Sequence, residues 1–255
     1  MIWPAFKMNR RGIPVLSRTA LDEFALRYIR EFCPDVCDAP APVPVEAFLE
    51  SYLGADLEYR YLSNDGRYLG MTVFTDCLVP VWDPEQKAAD ICAVSAGTVI
   101  ADNSLLETEG ALPRYRFTLA HEAGHFLFHK TAFQMLDGNK AGSLMICPAE
   151  AERSGSDQDS WSDFDWLEWQ SDTFASCFLL PRPAVLKAAE NWRLARGGWG
   201  ESLGMTLSRV FNVSLQAVRI RLKDLGIPDE QTPFRSDLTD DMLILEPDDT
   251  HGTYF

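Results

Sequence analysis

The run His121-Glu122-x-x-His125 constrains the fold of this chain more than any other segment. Two histidines four residues apart lie on one face when the segment is an α-helix. In that geometry the two imidazoles can hold one Zn²⁺, and the glutamate beside the first histidine can reach a metal-bound water. Apolar residues recur at helical spacing over residues 114–130. We therefore expect a helix there that carries His121 and His125 as metal ligands.

A catalytic zinc needs three protein ligands, so a third must come from elsewhere in the chain. His129 lies two turns beyond His121, about 12 Å along the helix, and one ion cannot contact both. We expect His129 instead to be a cation favoured at the helix C-terminus, or a transition-state group. Glu168 and Asp172 lie four residues apart on a second predicted helix, residues 166–180. Glu168 is the expected third ligand, and Asp172 is expected to accept the N–H of a ligating imidazole.

Two further carboxylates, Asp163 and Asp165, immediately precede the second helix and are alternative third ligands. They can equally well stabilise the positive N-terminus of that helix, and for this reason they rank below Glu168.

Glu122 lies about 100° around the helix from His121, beside the expected metal rather than on it. This position favours a general base over a ligand. Such a base takes a proton from the activated water and delivers it to the leaving amine, which predicts a metal-dependent hydrolase of amide bonds. Candidates for stabilising the oxyanion are suggested only by their closeness in sequence: Arg114, Tyr115, Arg116 and His129.

Negative charge is concentrated towards the C-terminus. The net charge is −15, and the segment after Pro228 holds eight acidic residues against one basic residue, Arg235. An acidic chain is repelled by a phosphate backbone, so broad binding to nucleic acid is not expected. Local DNA binding by residues 206–225 is a weaker alternative that depends on four basic side chains: Arg209, Arg219, Arg221 and Lys223.

Cysteine usage and hydropathy predict a cytoplasmic protein with reduced thiols and no membrane contact. The six cysteines form no C-x-x-C pair, no run approaches 18 apolar residues, and the first residues lack the apolar core of a signal peptide. Pro34 separates Cys33 from Cys37, so neither a metal nor a disulfide role is expected for that pair. Cys147 lies between the ligand-bearing helices, where its thiolate could act as a latch on the open zinc position or the residue could simply pack as a small hydrophobe.

Hydrophobic periodicity and turn residues predict an α+β fold with a small mixed or antiparallel sheet. Ser17 is the expected N-cap of the first helix, and Gly54 the expected end of the second. A strand at 97–101 is expected to line the cleft and pair with extended substrate by β-addition. The other expected elements are helices at 18–32, 45–53, 184–195, 206–211 and 214–225, strands at 57–61, 68–74 and 77–82, a loop at 131–163, and a docked strand at 242–245 in an otherwise poorly ordered tail.

Two segments carry a family resemblance. Residues 116–125 read RFTLAHEAGH and residues 168–181 read EWQSDTFASCFLLP. They resemble the ImmA/IrrE metallopeptidases, whose usual pattern is RFTLAHELGH followed by EWQAD-x-FAA-x-LLMP. Residues 207–222 resemble a helix-turn-helix-like run of the same family, and the resemblance covers roughly residues 13–227. This chain departs from the pattern at three positions that are conservative in packing terms: Ala123, Ser171 and Leu180.

The resemblance implies a gluzincin-type endopeptidase that uses one catalytic zinc. Carried over residue by residue, it gives His121, His125 and Glu168 as ligands, Glu122 as general base and Asp172 as the partner of a ligating histidine. The expected division of the chain is a zincin-like domain at 1–183 and a helix-turn-helix-like segment at 184–227, followed by an acidic tail at 228–255 that lies outside the resemblance.

The family also implies a partner. Its members cleave a small helix-turn-helix transcriptional repressor and thereby relieve repression. Two other interpretations stay open: a non-enzymatic zinc-containing regulator that binds DNA or a repressor, and a toxin–antitoxin component on the same scaffold.

Overall fold

The computed structural model describes residues 5–136, 144–148, 161–195 and 202–229. It is an α+β fold with a small mixed sheet, as the sequence predicts. The helices are α1 (Arg18–Phe32), α2 (Val45–Ala47), which continues as a π-helical turn (Phe48–Leu53), α3 (Ser104–Glu107), α4 (Leu112–Phe128), α5 (Lys130–Leu136), α6 (Asp163–Leu179), α7 (Arg182–Leu194), α8 (Leu203–Phe211) and α9 (Leu215–Asp224), with a 3₁₀ turn at Pro34–Cys37. The strands are β1 (Asp56–Arg60), β2 (Tyr68–Val73), β3 (Cys77–Asp83), β4 (Ala88–Val94), β5 (Thr98–Asp102) and β6 (Leu144–Pro148).

The ends of the first two helical segments follow their local chemistry. Ser17 caps α1, because its side-chain oxygen accepts the N–H of Ala20. Gly54 closes the second segment with a φ of 71°, a backbone conformation that glycine adopts without steric cost. Both were expected from the sequence: Ser17 marks where α1 begins, and Gly54 marks where the second segment ends.

Helices α4 and α6 pack closely against each other at the centre of the molecule. A Cβ atom on Gly124 of α4 would lie 3.0 Å from the Cα atom of Ser171 in α6. The absence of a side chain at Gly124 therefore allows the two backbones to approach. This close approach brings His125 on α4 next to Glu168 on α6, as described below.

The four-stranded sheet has the order β1-β5-β2-β6. Strand β5 pairs in parallel with β1 and antiparallel with β2, and β2 pairs antiparallel with β6. Strands β3 and β4 form a separate antiparallel hairpin. The expectation that the strand at 97–101 pairs with substrate is wrong, because both edges of β5 are already hydrogen-bonded within the sheet.

The expected loop at 131–163 is also only partly a loop. It contains α5 and the edge strand β6, and residues 137–143 and 149–160 lie outside the described part of the chain. Strand β4 was not expected either, since its sequence AADICAV alternates weakly and six of its seven residues are at least partly exposed.

The C-terminal helices share the main hydrophobic core. Leu207, Phe211, Val218 and Leu222 of α8 and α9 belong to the same buried cluster as residues of α1, α4 and α6. Arg221 of α9 is buried as well. Its guanidinium donates to the carbonyl of Leu180 (3.0 Å), to Cys177 Sγ (3.2 Å) and to the carboxylate of Asp22 on α1.

Replacing Arg221 with Leu is expected to lower the free energy of unfolding by about 3 kcal/mol, because it breaks a buried ion pair and leaves Asp22 with only the partly exposed Arg182, at 3.5 Å, as a cation. Because the core is shared, urea unfolding followed by tryptophan fluorescence and far-UV circular dichroism should show one transition for both proteins. Asp224→Asn, which removes the negative charge paired with the exposed Arg18, is the control and should cost under about 1 kcal/mol. A separate early transition would instead support an independent segment at 184–227, a division that stays a prediction.

Among the described residues, none of the helices has both the length and the apolar character needed to cross a membrane. The predicted strand at 242–245 and most of the acidic tail lie outside the described residues.

Candidate metal centre

His121 and His125 lie on one face of α4 and are fully buried. Their Nε2 atoms are 2.8 Å apart and point into the space between α4 and α6. The carboxylate of Glu168, on α6, completes the group: Oε2 is 3.6 Å from His121 Nε2, and Oε1 is 3.4 Å from His125 Nε2. Among the described residues these three side chains form a cluster that could hold a metal ion, with all donor atoms within 4.8 Å of one another.

The donor set and its spacing fit zinc. Tetrahedral zinc with bonds of roughly 2.0–2.1 Å places its ligand atoms about 3.3 Å apart. The observed separations of 2.8, 3.4 and 3.6 Å scatter around that value. Two imidazoles and a carboxylate are also the donor types of catalytic zinc sites, which leave a fourth position open.

Asp172 lies one turn beyond Glu168 on α6. Its Oδ1 is 2.9 Å from Nδ1 of His121, so the imidazole donates its Nδ1–H to the carboxylate. This contact leaves the lone pair of Nε2 free for a metal and holds the ring in place. The i, i+4 spacing on α6 therefore provides a donor and the orienting partner of a second donor.

Glu122 is completely buried beside the cluster, at the interface between α4 and β2. Thr72 of β2 donates its hydroxyl hydrogen to Glu122 Oε2 at 2.6 Å. Glu122 Oε1 makes no hydrogen bond to any residue that the structure describes. Burial raises the pKa of Glu122 to about 7, against the opposing effects of His121 and Thr72. A carboxylate with one oxygen held and the other available is suited to proton transfer.

Gly70 is the residue that gives Glu122 this space. A Cβ atom at position 70 would lie 2.5 Å from Glu122 Oε1 and 2.7 Å from Thr118 Cγ2. Contacts that short do not occur, so any side chain here displaces the carboxylate or the strand.

Gly70→Ala is expected to lower the turnover rate of cleavage on the order of a hundredfold, because a displacement of about 1 Å is enough for a loss of that size. The metal ligands lie on α4 and α6, so zinc content should stay at the wild-type value. The measurement is the rate of peptide-bond hydrolysis together with zinc analysis of the purified variant. Unchanged turnover would show that Gly70 does not position the base.

His129 occupies a different environment from the one expected. It caps the C-terminal end of α4 but is fully buried, and both of its ring nitrogens are engaged. Nδ1 lies 2.8 Å from Nδ1 of His125, and Nε2 lies 3.0 Å from Oε1 of Gln170. Burial is the largest cause that lowers the pKa of His129 well below its ordinary value. The expected position of His129 at the helix C-terminus is confirmed, but the expected cation is wrong, because burial disfavours the charged form of the ring and neither nitrogen faces an open site.

Asp163 and Asp165, the alternative third ligands, make their contacts at the N-terminus of α6 instead. Asp165 accepts the N–H and the hydroxyl of Ser162 in a capping box, and Asp163 forms an ion pair with Arg11 at 2.9 Å. Both carboxylates therefore act at the N-terminus of α6, as the alternative interpretation had it.

Two of the expected oxyanion candidates have structural contacts. The hydroxyl of Tyr115 is 2.8 Å from that of Tyr59. Arg116 donates to the carbonyls of Asn212 and Val43 and so ties α4 to the C-terminal helices. These contacts use the side chains within the fold, and neither residue belongs to the metal-binding cluster.

Cys147 was expected in a loop, but it lies in strand β6, where it pairs in register with Gly70 of β2. The side chain of Cys147 is not among the described atoms, so its role as a latch stays a prediction. Cys33 and Cys37 are free thiols.

Sequence reasoning missed four residues around the site: Gly70, Thr72, Gln170 and Pro14. Gln170 lies between Glu168 and Asp172 in the sequence, but a single glutamine there does not indicate a contact with His129. Thr72 and Gly70 lie 50 residues or more before Glu122. Pro14 contributes only its backbone carbonyl, which no side-chain motif reveals.

An apolar cavity of about 240 Å³ is lined in part by Asp172. Its walls also include Phe117 of α4, Trp169 of α6, Ile220 of α9 and Arg18 of α1. Ile220 is about half exposed. The cavity is therefore an apolar surface adjacent to the metal centre.

Comparison with known proteins finds a family match over the region that contains the metal-binding cluster. Residues 105–223 match the family model of the IrrE N-terminal-like domain, Peptidase_M78. The match begins before α4 and ends within α9, so it contains all the side chains of the cluster. No curated protein matches the chain.

Proposed function

We propose that this chain is a zinc-dependent endopeptidase, because residues 105–223 match the IrrE N-terminal-like peptidase family. The observation that carries the proposal is the buried cluster of His121, His125 and Glu168 with Glu122 beside it. A structural zinc site would have all its ligands from the protein and no need of a buried carboxylate next to it. Here three ligands leave one position open, and the adjacent carboxylate is placed to act as a base.

His121, His125 and Glu168 would hold the zinc, which would supply the Lewis acidity needed to activate water and polarise the scissile carbonyl. Glu122 accepts a proton from the attacking water at Oε1 and later delivers it to the leaving amine. Thr72 holds Oε2 of the same carboxylate, so that the base keeps one orientation through both transfers. Asp172 holds the ring of His121 with Nε2 directed at the cluster.

The substrate we propose is a small helix-turn-helix repressor, cleaved at a specific site so that repression is relieved. The family resemblance supports a protein substrate of this kind. The apolar cavity beside Asp172 supports a site that selects an apolar side chain of the bound polypeptide. Strand β6, at the edge of the sheet, takes the place of β5 as the element that could pair with an extended substrate.

Direct DNA binding by α8 and α9 finds less support in the described contacts. Of the four basic residues on which it depends, Arg221 is buried in the core, and Arg219 forms an ion pair with Asp229 at 3.4 Å. Phosphate contacts require accessible cations, so these helices act better as part of the core than as a DNA-reading unit. The five cysteines whose side chains are described are free thiols, which supports the proposed cytoplasmic location.

The experiment compares protein N-termini in cells that express the wild type or Glu122→Gln. A peptidase of narrow specificity should produce one or a few new N-termini, with one in a helix-turn-helix repressor, and only in the wild-type cells. Expression of repressor-controlled genes should rise in the same cells. If both proteins relieve repression equally and no new N-terminus appears, the chain is the non-enzymatic regulator instead.

A further inference from the structure

A continuous line of hydrogen bonds leads away from His125. Its Nδ1 is 2.8 Å from Nδ1 of His129, His129 Nε2 is 3.0 Å from Oε1 of Gln170, and Gln170 Nε2 donates to the carbonyl oxygen of Pro14 at 2.8 Å. His125, His129 and Gln170 are all buried. The line therefore runs from a metal-facing imidazole to the backbone of the N-terminal segment without reaching solvent.

The direction of every hydrogen bond in this line follows from its last member. A carbonyl oxygen only accepts, so the amide nitrogen of Gln170 must face Pro14 and its oxygen must face His129. Oε1 also only accepts, so His129 carries its proton on Nε2. A neutral imidazole then has a lone pair on Nδ1, which accepts the Nδ1–H of His125. The lone pair of His125 Nε2 is left for the metal.

We propose that His129 and Gln170 are positioning residues that fix the metal-binding tautomer of His125. They accept the Nδ1–H of His125 through a line of uncharged groups, whereas the carboxylate of Asp172 accepts the Nδ1–H of His121 directly. The proposal rests on the zinc centre proposed above and adds two residues to it. Neither residue contacts the expected metal or the substrate.

The anchor of this line is an ordered turn rather than a loose terminus. Asn9 Oδ1 accepts the N–H groups of Arg11 and Ile13, and Ile13 is buried against Phe133 and Leu167. The peptide carbonyl of Pro14 is thereby held against α6. Because the anchor is a backbone group, the line depends on how the N-terminal segment packs and not on the side chain at position 14.

The test measures the zinc affinity of full-length variants by competition with a chromophoric chelator. Gln170→Met has nearly the same length but neither accepts from His129 nor donates to Pro14, and its zinc affinity should fall about 10–100-fold. Gln170→Glu, when protonated on the oxygen that faces Pro14, can donate to that carbonyl and still accept the Nε2–H of His129, so its affinity should stay within a few-fold of the wild type. Tyr59→Phe is the control: it removes the partner of Tyr115 on α4 and should leave zinc affinity unchanged.

A second measurement is independent of any substitution. Nitrogen-15 NMR of the zinc-loaded wild type should show His129 protonated on Nε2 only, with scalar coupling between Nδ1 of His129 and Nδ1 of His125 across their hydrogen bond. Equal zinc affinity of folded Gln170→Met and wild type, or a proton on Nδ1 of His129, would overturn the proposal. A wild type that binds no zinc would contradict the proposed function itself, so the two failures are distinguishable.

Discussion

Glu122→Gln is expected to abolish cleavage of the partner protein while zinc stays bound. The amide has the size of the carboxylate and can still accept the hydroxyl hydrogen of Thr72, so the packing of α4 on β2 should persist. It cannot take a proton from water at neutral pH, and loss of a general base costs about 10²–10⁴ in rate. The measurements are the cleavage rate of the partner and the zinc content of the purified variant.

Glu85→Gln is the matched control for this substitution. Glu85 lies on the exposed turn between β3 and β4, so the same change of chemistry there should leave cleavage at the wild-type rate. If Glu122→Gln kept a substantial part of the wild-type rate, Glu122 would not be the base. If it lost zinc as well, the loss of activity would report on the metal and not on proton transfer.

The second large effect is expected for Glu168→Gln. The substitution keeps the side-chain length on α6 but removes the anionic donor whose oxygens lie 3.6 and 3.4 Å from the Nε2 atoms of His121 and His125. Loss of a ligand should weaken zinc binding by more than the 10–100-fold typical of residues that only orient a ligand. Cleavage should fall in proportion to the zinc that is lost.

Thermal unfolding provides a separate measurement of the same effect. A ligand that binds only the folded state, present at about 100 times its dissociation constant, stabilises the protein by about 2.7 kcal/mol. Added zinc should therefore raise the melting temperature of the wild type and of Asp163→Asn, a control on the same helix, but not of Glu168→Gln. A zinc-dependent shift of wild-type size in Glu168→Gln would remove Glu168 from the ligand set.

The two ligand-bearing helices could be predicted because their information is local. The spacing of His121 and His125 on α4, and of Glu168 and Asp172 on α6, identifies one face of each helix without knowledge of the fold. The caps at Ser17 and Gly54 and the strands from β1 to β3 are similarly encoded by neighbouring residues. That the two faces meet in one cluster is a property of the fold; the need of zinc for a third ligand suggested it, and the family resemblance agrees with it.

The surroundings of the base could not be predicted, because they come from a distant strand. Gly70 and Thr72 are placed beside Glu122 by the packing of β2 on α4, and nothing within their own segment identifies them. Strand order is likewise non-local, so β5 was expected at the edge of the cleft although it lies inside the sheet. The register of β6 on β2 had no signal within residues 144–148.

For His129, the sequence correctly excluded a role as a ligand shared with His121 but did not predict that the ring is buried. Its distance from His121 along the helix excludes a shared ion, and that conclusion did not need the structure. The inference of a helix-terminal cation failed because the ring is buried and its second nitrogen is hydrogen-bonded to Gln170 of α6. Burial of a helix terminus depends on what packs over it, which the sequence of α4 alone does not encode.

Zinc analysis combined with reversible chelation tests the metal-dependent centre most directly. Purified wild type is expected to contain one zinc per chain and to cleave its partner. Removal of the metal with a chelator should stop cleavage, and one equivalent of zinc should restore it, whereas Glu122→Gln should regain zinc without regaining activity. Cleavage at the full rate by metal-free protein, or a purified wild type that neither contains nor binds zinc, would contradict the assignment of His121, His125 and Glu168.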